Sequence, residues 1–223
     1  MVVKFKNNFI IFLYEIKFHR LYFLKKVNFM KYVSIDIETT GVNPLVNDII
    51  EFAAVIDDTN AKVPIENLPK FHRYIKKEGT YNFDAQAVVM HKRIFEKILQ
   101  NGDDCIYIDD LMYAFGNFLQ DNDIAPNRYG KIALNVAGKN FGSFDYQFLK
   151  EKIKQENWNN IIFRSRFIDP AILYFENEDY ALPDLETCVK RYQRQSGQKY
   201  NWDNHTALDD AMEVIKLVRY KII

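Results

Sequence analysis

Two carboxylates end an otherwise apolar run. In KYVSIDIETTGVNP (31–44), Val33, Ile35 and Ile37 alternate with Ser34, Asp36 and Glu38. On a strand that alternation puts Asp36 and Glu38 side by side on one face, just before a Thr-Thr-Gly turn. Two like charges there repel and lose hydration, which destabilises the fold unless something cationic lies between them. Two more aspartates head apolar helical stripes. In GKNFGSFDYQFLKEKI, Asp145 leads Leu149 and Ile153, beside a stripe of Phe141, Phe144 and Phe148. In DNHTALDDAMEVIKLVRYK, Asp210 leads Val214 and Leu217, next to the core stripe Leu208, Ala211, Ile215 and Val218. Its neighbour Asp209 falls with Glu213 and Lys216 on a stripe read as solvated. His205, five residues before Asp210, stands at the helix start. Singly, such residues read as dipole partners or caps. Together, four inward acids would drive one another's pKa upward, whereas hard divalent cations turn the same acids into ligands. Two such ions about 3.5–4 Å apart clamp the attacking and leaving oxygens of a phosphodiester displacement.

The elements that must hold these residues read as follows. Strands are expected at 31–38, 48–58 and 71–77, the third more polar and placed towards an edge. Helical patterns cover 83–100 and 108–120. An apolar strand at 131–138 leads into a helix over 141–155. A further strand at 160–170 precedes helices near 170–176, 183–194 and 205–220. Three strands, then helices, then strand–helix–strand and terminal helices give an α/β fold, a mixed central sheet flanked by helices.

The chain has 223 residues, enough for one domain with a sizeable core, and 30 basic against 30 acidic residues. A neutral chain does not hold long nucleic acid by counterion release alone, so any such binding is local. Cys105 and Cys188 are too few for a disulfide scaffold and lack metal-site spacing. They read as buried thiols in a reducing compartment, the cytoplasm. Residues 1–29 are aromatic and basic. Their longest uncharged run, Asn7 to Tyr14, is far short of the roughly 20 residues that span a bilayer. They also lack a small-residue cleavage site. The expected organisation is an extension at 1–29 outside the fold and a working domain at 30–223, with no membrane partner. The other reading makes 1–29 a basic, aromatic arm that contacts a partner.

With these motifs the sequence closely resembles the DEDD 3′→5′ exonucleases, in the DEDDh (DnaQ-like) branch of the ribonuclease H-like superfamily. DIETTG (36–41), KNFGSFDYQFL (139–149) and HTALDDA (205–211) match the three motifs in order, over about residues 30 to 220. The resemblance implies two Mg²⁺ or Mn²⁺ ions on Asp36, Glu38, Asp145 and Asp210, and His205 as general base. It implies a 3′-hydroxyl held by Glu38 and the backbone around Thr39 and Thr40, with Val42 as an apolar wedge between the last two bases. Asn140 stands where the family has the Asn of its His-Asn pair, but Lys139 replaces the His. The implied activity is release of nucleoside 5′-monophosphates from the 3′ end of single-stranded DNA or RNA. A DNA-proofreading enzyme, an RNA-trimming enzyme and an oligoribonuclease all remain open, because the sugar is read through the 2′-hydroxyl by pocket shape. A polymerase or a second copy of the chain are the further partners considered. The alternative is a DEDD-fold nucleic-acid-binding or polymerase-associated module with weak or no catalysis.

Overall fold

The computed structural model describes residues 29–200 and 206–222. The chain divides into two units, 1–30 and 31–223, and the described fold is that of the second. Its centre is a five-stranded mixed sheet whose strands lie in the order Cys105–Tyr107, Lys70–Lys76, Ile49–Asp58, Lys31–Thr39 and Val136–Ala137. β1 (Lys31–Thr39), β2 (Ile49–Asp58) and β3 (Lys70–Lys76) form an antiparallel meander. β4 (Cys105–Tyr107) adds in parallel to β3, and β6 (Val136–Ala137) in parallel to β1. β5 (Ile132–Leu134) and β7 (Ile161–Phe163) make a separate parallel pair. The helices are α1 (Ala85–Met90), α2 (Lys92–Gln100), α3 (Ile108–Asp121), α4 (Asp145–Lys152), α5 (Pro170–Leu173), α6 (Leu185–Ser196) and α7 (Ala207–Ile222).

Strand parity sorts the sheet into two faces. Val33, Ile35 and Ile37 share theirs with Phe52, Ala54 and Phe71, packed against Leu111, Met112, Phe115 and Leu119 of α3 and Phe148 and Leu149 of α4. The opposite face carries Tyr32 and Val55 under α6 and α7, through Cys188, Val189, Val214, Ile215 and Val218. Ser34, Asp36 and Glu38 belong to this second face. The polar residues at the sheet end are therefore roofed by the start of α7.

The mixed sheet and its flanking helices agree with the sequence reading, and several boundaries do not. The 83–100 pattern breaks at His91 into two helices, and the apolar run 131–138 is cut at Asn135 between two sheets. The Asn135 carbonyl accepts from Val33 N at 2.9 Å, which hands the chain from one ladder to the other. The strand expected over 160–170 is only β7, followed by a single bridge from Ile168 to Ala137. The helix expected from 141 starts at Asp145, because Asn140 takes a left-handed backbone (φ 60°) and opens a turn. β3 lies towards an edge as expected, with only the three-residue β4 outside it. Glu213, placed on a solvated stripe by its spacing, is buried, bonded to the Tyr200 hydroxyl and paired with Lys216 at 3.7 Å.

Candidate metal centre

Asp36, Glu38 and Asp210 each offer a carboxylate oxygen, and these oxygens lie within 4.8 Å of one another. All three residues are half-buried. β1 supplies the first two from adjacent same-face positions, and the first turn of α7 supplies the third. Asp209 turns to its own helix start instead. Its backbone N–H donates to the Thr206 hydroxyl at 3.2 Å, and that hydroxyl donates to the Asp209 carboxylate at 2.5 Å.

Asp145 lies beside this trio rather than inside it. It is buried at the first position of α4, and its Oδ1 accepts from Ile37 N at 3.1 Å. β6 pairs with β1 only at Val33 and Ser34, so Asp145 satisfies a strand N–H beyond the reach of the ladder. That bond claims one carboxylate oxygen of Asp145, and the tightest group is formed by the other three expected acids.

Burial pushes Asp36 well above the usual carboxylate range, and the charges of Asp145, Asp210, Glu38 and Glu51 push it further. Glu38 is pushed up to about 9 by burial, then by Glu51, Asp210 and Asp145. Asp145 is raised by burial, partly offset by its own amide, the Ile37 amide and the Lys139 charge. An all-oxygen set of mutually repelling carboxylates fits Mg²⁺ or Mn²⁺, whose charge would reverse these shifts.

The loop after β1 is built as a rigid unit. Thr40 donates its backbone N–H to Asp48 O at 2.9 Å, and its hydroxyl bonds Asn82 O and accepts from Asp48 N. The Thr40 carbonyl accepts from Asp84 N at 2.8 Å. The Thr39 hydroxyl donates to Gly41 O at 2.6 Å. Glycine at 41 leaves room for its neighbours: a Cβ there would lie 2.3 Å from Asp84 Oδ2 and 2.6 Å from Asn47 Cγ, so those side chains would have to shift. Thr40 is thus spent on the turn, whereas Val42, 76% exposed, projects from it. Asn140 is also occupied. Its N–H donates to Asp169 Oδ2 at 2.9 Å, and its side-chain oxygen accepts from the Ser143 hydroxyl. Asp169, as N-cap of α5, holds this turn from the other side through Ala171 N at 2.8 Å. His205 lies outside the described residues.

Sequence reading missed two groups at this site. His91, only 6% exposed, stands with Nε2 3.6 Å from Glu38 Oε2. Glu51, fully buried, lies directly across the β1–β2 ladder from Glu38. A lone Glu inside DIIEFAAV was the available signal for Glu51. For His91 only the break between α1 and α2 marks the position, and the helical pattern ran through it.

A family model described as an exonuclease (RNase_T) matches residues 33–122, the stretch from β1 to the end of α3. No curated protein sequence matches the chain. Among solved structures, the nuclease domain of 3′hExo, a DEDDh family member bound to rAMP, aligns with a TM-score of 0.61 at 16% identity. That alignment covers 87% of this chain and 92% of that one. Cell-death related nuclease 4 aligns with a TM-score of 0.57 at 13% identity, over 85% of this chain and 62% of its own. E. coli exonuclease I in complex with a dA16 oligonucleotide aligns with a TM-score of 0.52 at 16% identity, over 85% and 40%.

Proposed function

We propose that this chain, which carries the exonuclease-family domain in the fold of the DEDDh nucleases, is a metal-dependent 3′→5′ exonuclease. The observation that carries this reading is the convergence of Asp36, Glu38 and Asp210 with Asp145 alongside. Those four residues would hold two Mg²⁺ or Mn²⁺ ions. When bound, such ions supply the positive charge that stabilises the attacking and leaving oxygens of a phosphodiester displacement. No helix among the described residues is long and apolar enough to cross a membrane.

Within this reading His205 takes the proton from the attacking water. Its ordinary pKa near 6.5 suits that task at neutral pH. The water oxygen bonds to the terminal phosphorus, the bond from phosphorus to the penultimate 3′-oxygen breaks, and a nucleoside 5′-monophosphate leaves. The rigid turn built by Thr39, Thr40 and Gly41 presents Val42 to the last bases, and apolar contact of that kind tolerates any sequence. Asn140 acts by shaping the turn that delivers Asp145. The substrate is the 3′ end of a single-stranded nucleic acid, and the setting is the cytoplasm, in keeping with the two free buried cysteines. Residues 1–29 take no part in the chemistry.

One digestion panel tests this. Single-stranded DNA, duplex DNA, RNA and a dinucleotide are each incubated with Mg²⁺, Mn²⁺ or EDTA. Mononucleotides should appear from the 3′ end of at least one single-stranded substrate with either metal and from none with EDTA. Internal cuts, release from the 5′ end, or digestion in EDTA would contradict the reading.

A further inference from the structure

Glu51 is a fully buried carboxylate at the edge of the acidic cluster, yet it is outside the trio whose oxygens converge. Both of its oxygens are turned elsewhere. Oε1 accepts from His72 Nε2 at 2.5 Å, and Oε2 accepts from Ala207 N at 3.0 Å. Ala207 is the first residue of α7, and its N–H is one of the donors that a helix start leaves without an intrahelical partner. Here the acceptor comes from a strand 156 residues away in sequence. Ala207 and Asp210 are three apart and lie on one helical face. Whatever fixes Ala207 therefore fixes where the Asp210 carboxylate sits.

The sheet makes this possible through register. Glu51 pairs with Tyr74 of β3, which puts His72, two residues earlier, on the same face and diagonally opposite. The Tyr74 ring meets His72 edge-on at 4.9 Å between centroids and limits where the imidazole can turn. Across the ladder Glu51 faces Glu38, a like-charge pair that costs stability by itself. The imidazole N–H and the N-terminal end of α7 offset that cost, since both favour negative charge.

We propose that Glu51 and His72 are a pair of positioning residues that dock the start of α7 onto the sheet and so set Asp210 against Asp36 and Glu38. The proposal rests on the metal-site reading above. Three full-chain variants test it: Glu51→Ala, Glu51→Gln and His72→Ala. Each is measured for Mn²⁺ affinity without nucleic acid, for melting temperature, and for kcat and KM well below its own melting point. The glutamine keeps an oxygen for Ala207 N–H and offers its amide to His72. Glu51→Ala should lose about 10- to 100-fold in Mn²⁺ affinity or kcat, the usual cost of removing a group that orients a metal ligand, with KM little changed. Glu51→Gln should recover most of that loss, and His72→Ala should fall between them.

Equal loss in Glu51→Ala and Glu51→Gln would make Glu51 a ligand and overturn the proposal. So would folded variants whose kcat and Mn²⁺ affinity match wild type, even at lowered melting points. If Glu51→Ala fails to fold, Glu51→Gln and His72→Ala decide alone. His72 is a quarter exposed, so its truncation leaves the core in place. A wild type that neither binds Mn²⁺ nor digests nucleic acid would sink the metal-site reading itself. An active wild type with unaffected variants sinks only the positioning role.

Discussion

The same two strands and the same helix hold buried carboxylates at both ends, and the two ends treat them in opposite ways. At one end, Asp57 of β2 is gripped by Arg219 of α7, with Nε at 2.9 Å and a terminal nitrogen at 2.7 Å, and accepts from the Tyr32 hydroxyl at 2.6 Å. At the other end, Asp36, Glu38 and Asp210 meet with Glu51 and Asp145 nearby, and burial with mutual repulsion lifts Asp36 and Glu38 far above the usual range. The first arrangement is complete within the chain: one acid, one guanidinium, one hydroxyl. The second sets several acids together with His91 3.6 Å from Glu38, and divalent cations bound there would offset their mutual repulsion. Burial alone therefore does not mark a working acid. What sets the second end apart is burial combined with several like charges close together.

The largest expected break in this contrast is in turnover. Asp36→Asn should reduce nuclease activity to background, because one of the residues that would hold the ions is gone. The same change should leave the metal-free protein as stable as wild type or more so, since it removes one repelling charge. His205→Ala should keep metal binding and lose about 10²–10⁴-fold in rate, the usual worth of a general base. Full activity in His205→Ala at neutral pH with Mg²⁺ would remove the histidine from the chemistry.

Asp57→Ala inverts the pattern. It strands Arg219 and the Tyr32 hydroxyl, and breaking a buried pair from one side costs about 3–5 kcal/mol. Denaturant unfolding should show that loss, while the folded fraction keeps its specific activity. An Asp57 variant as stable as wild type would erase the distinction between the two ends.

A smaller effect concerns pH. The folded value of Glu38, about 9, lies above its ordinary 4.5, so the folded protein holds a proton that the unfolded chain releases in that interval. That contribution to stability is full below about 4.5 and is lost as pH rises through about 9. The melting temperature of chelator-treated protein should fall as pH climbs across this window, and Glu38→Gln should flatten the slope. A melting temperature that rises with pH would contradict the shift. The smallest effect is expected from beginning the chain at Met30, which should leave melting temperature and turnover unchanged. A large drop in either would make residues 1–29 part of the working protein.

Much of the site was legible because it follows from period alone. Two-residue alternation put Asp36 and Glu38 on one face, and helical spacing separated Asp210 from Asp209. What period cannot show is which strand lies beside which. Glu51 acquires meaning only once β2 pairs with β1 in a register that sets it against Glu38, and His72 only once β3 pairs with β2. Glu213 was misplaced for the same reason, since its spacing matches Lys216 but Tyr200, from the segment after α6, covers it. The cut at Asn135 was hidden because Ile132, Leu134, Val136 and Ala137 read as one apolar run. Only the second sheet divides them.

Metal uptake by chelator-stripped protein, titrated calorimetrically with Mn²⁺ in wild type and in Asp36→Asn, tests most directly whether the acid-rich end is a cation site. Wild type should bind Mn²⁺ and gain melting temperature with its concentration, as a ligand selective for the folded state requires. Asp36→Asn should do neither. A wild type that takes up no Mn²⁺, or an Asp36→Asn variant that binds it equally well, would contradict the account.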